Sequence, residues 1–509
     1  MKFRPRTVAA GTVLAVLALA GCSSGSSTSG TTPTPGSLVI GTLAGPTSFD
    51  PSQAHVGMPL QFFQPVYDSL LRRQPDGELV PMLATAWSYD ASRTHLTLTL
   101  RHDVTFSDGT KLDGNAVKIN LDRFRTGNGP DASSLAGVEA VEVKDASTVV
   151  ISLKAPDPAL LDYLATEDSF IASPKAINAG AIATDPVGSG PYTLDRSATV
   201  EGASYTFVKR PGYWDPSLQR WGKIVLKPLT DQTAMLNALL SGQVNVALLS
   251  AKTAGRAKSA GKVECRYSSD WSGLLIFDRA GEIVPALKDP RVRQAINYAI
   301  DRKTLLDRVA GGFGAVTNQV FGPATDAYEK SLDDSYPYDP QKAKALLAEA
   351  GYGSGFTVTM PSVSGLLDPA MTAGIGQNLA DVGVKVNWQN TTVTDLVSSI
   401  AQGKYAMAWY SLFQGSPWVA ANQMITKNAS FNPFHTTDPV VDGLVTTLQM
   451  GTESEQSAAA KELNEFVTKQ AWFAPFYRAD YLLFSDPAVS VVPQVGQSVP
   501  SIYNYAPKR

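Results

Sequence analysis

Short apolar strands alternate with capped helices from Ser37 onward, and that alternation restricts the chain to an α/β arrangement. Leu38-Val39-Ile40-Gly41 predicts a short buried strand. Between His95 and Arg101, Leu96, Leu98 and Leu100 share one face and Thr97 and Thr99 the other, predicting a half-buried strand. Phe106-Ser107-Asp108-Gly109-Thr110 predicts a tight turn in which Gly109 takes positive φ. Asp113 then caps a helix carrying Val117, Leu121 and Phe124 at three- and four-residue spacing. Strands are expected over 148–153 and 224–226, and a helix over about 231–240 that stops at Ser241-Gly242. Asp289-Pro290 and Asp339-Pro340 each place an N-cap before a proline at the first helical position. Val292, Ala295, Ile296, Ala299 and Ile300 form one apolar stripe. Asp301 caps a further helix that ends near Gly311-Gly312, and Gly351 closes the helix begun at Pro340.

A chain of 509 residues carries a prior of about three domains. Its 44% hydrophobic and 17% charged residues suit a large buried core and exclude a disordered chain. Net charge is −3, and no stretch holds a run of five or six like charges, so nucleic acid is not an expected partner. Two cysteines and four histidines leave little room for a disulfide scaffold or a zinc site.

The first residues give the location. Lys2, Arg4 and Arg6 precede an apolar run over 8–20 that ends in Leu19-Ala20-Gly21-Cys22. A cationic start, a short apolar run and small residues at a cleavage point describe an export signal, too short to span a bilayer. Leu19-Ala20-Gly21-Cys22 resembles the lipobox of bacterial lipoproteins, which implies cleavage after residue 21 and lipidation of Cys22. Two or three acyl chains at about 0.8 kcal/mol per buried methylene anchor a protein stably. Residues 23–36 contain only Ser, Gly, Thr and Pro, so 22–36 is expected to be a flexible tether. Cys265 would then be the one free thiol, expected as a packed small residue rather than a nucleophile.

Catalytic machinery is not legible. Gly-x-Ser-x-Gly, the phosphate loop and Gly-x-Gly-x-x-Gly are missing from the sequence, and Gly374-Ile375-Gly376 lacks the third glycine. Ser259-Ala260-Gly261-Lys262 matches Ser-x-x-Lys without its companion motifs. His55, His95, His102 and His435 have no zinc-site spacing, and Asp333-Asp334 reads as a solvated cap. No catalytic residue, metal site or cofactor is expected.

Several separated segments resemble one family, the extracellular solute-binding proteins of family 5, which serve ABC importers of dipeptides, oligopeptides and nickel. They are Val66-Tyr67-Asp68-Ser69-Leu70-Leu71, Gly77-Glu78-Leu79-Val80-Pro81-Met82-Leu83-Ala84 with Trp87, and the run from Leu100 to Leu112 around Phe106-Ser107-Asp108-Gly109-Thr110. Val187-Gly188-Ser189-Gly190-Pro191-Tyr192, Tyr213-Trp214 and Ser241-Gly242-Gln243-Val244-Asn245 follow, the last with asparagine where the family commonly has aspartate. Arg291 to Arg302 and Leu346-Leu347-Ala348-Glu349-Ala350-Gly351-Tyr352 complete the set. Most of these motifs are expected to serve turns and packing rather than ligand contact.

The resemblance implies a two-lobed periplasmic-binding-protein-like α/β fold of type II, with a subdomain inserted in lobe I. Mapped here, lobe I is 37–65, 187–272 and 483–509, the insert is 66–186 and lobe II is 273–482. It implies a monomeric receptor that captures a peptide or other small organic solute between its lobes. The receptor would hand the solute to an ABC permease driven by a separate ATPase. In peptide-binding members an aspartate in lobe II pairs with the peptide's amino group. Aligned on Pro417, that position falls at about Phe413, and no acid lies in Ala408–Trp418. Trp409, Tyr410, Phe413 and Trp418 are then either an aromatic wall for an apolar, sugar-like or cationic ligand, or core. Trp271 and Tyr477, near the two hinge crossings, are further candidates. Asp278 would either pair with a cationic ligand or cap a turn. The alternatives to a peptide are a glycoside, an opine, a polyamine or a metal chelate, a signalling receptor of the same fold, or an exported hydrolase.

Overall fold

The computed structural model describes residues 36–508, apart from 269, 364–366 and 414; the side chains of 393, 394 and 413 also lie outside the described residues. The export segment and Cys22 therefore fall outside them. Strand Ser37–Thr42 runs through the middle of a seven-stranded sheet, parallel to Lys223–Pro228 on one side and to Val246–Leu249 on the other. Tyr481–Ser485 and Val263–Tyr267 extend one edge, and Tyr205–Lys209 and Tyr192–Leu194 the other, each antiparallel to its inner neighbour. Leu38, Ile40, Leu226 and Phe207 bury into one core with Phe62, Tyr67 and Tyr505. The opposite face receives Met235, Leu236 and Leu239 of helix Gln232–Leu240. Burial on both faces explains why these strands read as continuous apolar runs.

The inserted subdomain is an antiparallel sheet in the order Ala84–Tyr89, His95–Leu100, Thr148–Leu153, Val138–Asp145. Helix Gly114–Thr126 packs Val117, Leu121 and Phe124 on it, and the Asp113 carboxylate accepts from the Ala116 N–H at 2.9 Å. Gly109 takes the expected left-handed conformation, φ 83°. The Gly188-Ser189-Gly190 motif is a close approach of backbone to backbone: a Cβ on Gly190 would stand 2.4 Å from the Val66 carbonyl carbon. That contact joins the insert to the first sheet.

The second lobe is built on the sheet Gly314–Val316, Phe473–Ala479, Asp270–Ile276, Met407–Phe413. A parallel pair, Phe356–Val363 and Val384–Thr391, packs nearby. Helix Pro290–Ala299 starts at the Asp289 cap, and its whole apolar stripe is buried against Leu274 and Ile276. Asp301 caps Arg302–Val309 and Asp339 caps Pro340–Glu349, whose end is followed by Gly351 at φ 85°. Arg302 is itself buried and donates to the carbonyls of Pro475, Asn297 and Tyr336; burial lowers its guanidinium to about 9. The motif from Arg291 to Arg302 therefore serves packing.

Candidate functional site: a cleft between the lobes

The chain leaves the first sheet at Tyr267 and enters the second at Asp270, ahead of the expected boundary at 272, and returns between Ala479 and Tyr481. The two crossings touch. The Tyr267 and Tyr481 rings stack at 5.5 Å, and the Tyr481 hydroxyl donates to Asp270 Oδ2 at 3.0 Å. A pair of adjacent strand-to-strand crossings is the geometry of a hinge.

Among the described residues, the insert meets the second lobe through three hydrogen bonds. Trp418 Nε1 donates to Asp157 Oδ1 at 3.0 Å, Gln449 Nε2 to the Pro156 carbonyl at 2.9 Å, and Arg93 to the Gly451 carbonyl at 2.8 Å. Between them lies a cavity of about 660 Å³, within the range of small-molecule sites. Its first-lobe wall comes mainly from the insert, with Asp131, Asp162, Glu167 and Asp168, joined by Val56, Val495, Gly496 and Gln497; the facing wall includes Asp326, Pro417 and Asn422. A second groove of about 550 Å³ shares Ser134, Tyr163 and Asn422 with the first and carries Asp157 and Trp418 on its walls.

The acids reach the cleft for local reasons. Asp131 follows helix Gly114–Thr126 and holds the loop at 55–56, accepting from His55 Nδ1 and from the Val56 N–H, each at 2.8 Å. That contact raises the His55 imidazole above its usual range. Glu167 and Asp168 occupy a single 3₁₀ turn, Glu167–Ser169, between the buried Leu164 and Phe170, so their carboxyls are carried inward. Asp168 accepts from the hydroxyls of Ser134 and Thr166. Glu167 is 4% exposed, and its buried Oε2 has no hydrogen-bond partner among the described residues. Burial pushes Asp168 up to about 7 against the lowering effect of its two hydroxyl partners. Glu167 lies well above the ordinary carboxyl range, through burial first and then the charges of Asp168 and Asp131.

The residues singled out from the sequence are divided by the structure. Trp271 is fully buried, edge-on to Phe473 at 6.0 Å, and Tyr477 is buried in the core of the second lobe. Burial holds the Tyr477 hydroxyl up at about 12. Asp278 caps a turn: its carboxylate accepts from the N–H groups of Glu282, Ile283 and Val284 at 2.7–2.9 Å, and it is fully buried. It is not placed to meet a solute. The aromatic wall separates because alternate strand residues point to opposite sheet faces. Trp409 packs with one core and donates to Ser272 Oγ at 3.0 Å, while Tyr410 packs with the other, edge-on to Phe431 at 4.9 Å. The Phe413 backbone pairs with Asp270, and its side chain lies outside the described residues. Of the members of this set whose side chains are described, only Trp418 lines one of these grooves.

Sequence reasoning missed Asp131, Glu167, Asp168 and Asp326. One signal was present: two adjacent acids within Leu164-Ala165-Thr166-Glu167-Asp168-Ser169-Phe170-Ile171, a segment otherwise apolar or small.

A family profile described as bacterial extracellular solute-binding proteins, family 5, matches residues 78–432. The chain is 28% identical over 462 residues to the glutathione-binding protein GsiB of Salmonella typhimurium, covering 84% of this chain and 86% of that one. Among solved structures it resembles HbpA2 from Haemophilus parasuis, with TM-score 0.81 and 20% identity over 93% of this chain and 100% of that one. It also resembles DppA from Helicobacter pylori in complex with the peptide STSA, with TM-score 0.77 and 20% identity over 94% and 99% of the two chains. NikA from Brucella suis in complex with Fe(III)-EDTA gives TM-score 0.78 and 21% identity over 93% and 100%.

Proposed function

The chain belongs to the bacterial extracellular solute-binding proteins of family 5, and on that premise we propose that it is a lipid-anchored receptor feeding an ABC importer. The family consists of substrate-binding proteins that act outside the cytoplasm and work with an ABC permease. In this reading Cys22 carries the lipid, residues 22–36 are the tether, the lobes follow roughly the division given above, and the crossings marked by Tyr267, Asp270, Ala479 and Tyr481 form the hinge. One solute molecule enters the cleft, the lobes close on it, and it reaches the permease without any covalent change.

The observation that carries the reading is the cavity of about 660 Å³ whose lining includes Asp131, Glu167 and Asp168 on one side and Asp326, Pro417 and Asn422 on the other. A solute held there contacts both lobes only when they are together, so its binding energy favours closure. The names of the relatives point to peptides and peptide-like solutes as the first cargo to examine. A solute at 100 times its Kd stabilises the fold by about 2.7 kcal/mol, visible as a raised Tm. Recovery of that solute chemically unchanged after prolonged incubation supports the receptor reading, and conversion to a product contradicts it.

A further inference from the structure

We propose that the solute presents a cationic group, an ammonium or guanidinium, to Asp131, Glu167 and Asp168 on the insert's wall of the cleft. This rests on the cleft being the binding site. Six carboxylates line the main cavity among the described residues: Asp76, Asp131, Asp162, Glu167, Asp168 and Asp326. The lining holds one permanent cation, Arg73, and it is committed to Asp162 at 2.6 Å. Other charges near the turn are likewise paired, Arg123 with Asp50 and His55 with Asp131. Asp326 faces the cluster from the other lobe with no countercharge of its own among the hydrogen bonds and ion pairs of the described residues. Asp76, Glu167, Asp168 and Asp326 therefore have no cation paired with them among the described residues, and the lining offers no fixed countercharge when they ionise.

Glu167 Oε2 makes the argument specific. A buried carboxyl oxygen without a hydrogen-bond partner is unfavourable in a finished structure, and Glu167 Oε2 has none among the described residues. Here that oxygen belongs to a residue that lines the cavity, beside two further acids. An arriving N–H donor with positive charge would satisfy it and offset the repulsion that opposes ionisation of Glu167 and Asp168 beside Asp131. A solute with two carboxylates, such as glutathione, would meet repulsion instead. Described His, Cys, Asp and Glu residues form no group arranged to hold a metal ion, which favours an organic cation.

The protons follow. With the cleft empty, burial keeps protons on Glu167 and on part of Asp168 near neutral pH. Pairing with a cation expels a proton to solvent, so affinity for the cation rises with pH. The charged groups around the turn are Asp131 with His55, Asp162 with Arg73, Asp50 with Arg123, and Asp326 on the facing wall.

The test is calorimetry on the full-length chain with agmatine, spermidine and a lysine-containing dipeptide, set against glutathione, 1,4-butanediol and calcium. The expected result is binding of at least one organic cation, tighter by about tenfold at pH 8 than at pH 6, with proton release seen as a buffer-dependent heat. Glu167→Gln combined with Asp168→Asn should weaken that binding at least tenfold and abolish the proton release. Asp326→Lys, an exposed position whose change leaves the packing of the insert alone, should weaken it too. Unchanged cation affinity in these variants overturns the proposal, as does preference for calcium or for the uncharged or anionic solutes. Tight binding of glutathione that Glu167→Gln with Asp168→Asn and Asp326→Lys leave unchanged would overturn the cationic contact and leave the receptor standing. Failure of every solute to bind would remove both.

Discussion

The indole N–H of Trp418 donates to Asp157 Oδ1 at 3.0 Å, a bond from the second lobe to the inserted subdomain, and both residues line the same groove. The two residues lie 261 positions apart. Asp157 also accepts from the Ala159 N–H at 3.0 Å, and burial raises its carboxyl above the ordinary range. If the lobes part by a hinge motion as proposed, this bond would be made only in the closed form and would contribute to closure rather than to the fold of either lobe.

Trp418→Phe should therefore leave Tm nearly unchanged and weaken solute binding by up to about tenfold, the worth of one hydrogen bond. The check is calorimetry beside thermal unfolding. A large loss of Tm with unaltered affinity would place Trp418 in the core.

The same indole is the expected optical reporter. Closure changes the surroundings of Trp418, whereas Trp271 is fully buried within one lobe. The emission change on adding a bound solute should vanish in Trp418→Phe and persist in Trp271→Phe.

Asp278 should behave in the opposite sense to Trp418. Asp278→Ala leaves three N–H groups of a buried turn without their acceptor, at a cost of about 3 kcal/mol or more. Thermal unfolding should show a drop of several degrees, and solute affinity measured well below the new Tm should stay within about threefold of the parent.

The empty chain should lose stability as pH rises from about 4 to 7. Asp168 holds its proton up to about 7 in the folded state against 3.8 when unfolded, so in that window the folded state binds more protons. Stability from this group is full below the unfolded value and is lost as pH climbs through the folded one. Asp168→Asn should flatten that slope in denaturant unfolding measured across the window; an unaltered slope would contradict the burial argument.

Cys22→Ser should release the protein from membranes into the soluble fraction, with the parent retaining lipid in an intact-mass measurement. A soluble parent of unmodified mass would remove the anchor from the account.

Much of the fold was legible because its signals are local. The Asp113, Asp231, Asp289, Asp301 and Asp339 caps each start a helix where expected, and the strand expected over 148–153 is Thr148–Leu153. The separated motifs carried the family, which the profile match over 78–432 shows independently. The site was far less legible. Strand Met407–Phe413 belongs to a sheet covered on both faces, so aromatic residues fall on either side and composition alone does not tell core from wall. Asp278 reads as a lone acid until the chain folds back and offers three N–H groups. The cleft acids come from turns and loops near 131, 167 and 326, which only tertiary structure brings together.

Small-angle X-ray scattering of the chain with and without a calorimetrically confirmed solute tests the clamshell itself. A lower radius of gyration with one solute bound per chain is the predicted result. Unchanged scattering at full occupancy would show that the solute binds without drawing the lobes together, and would contradict the account.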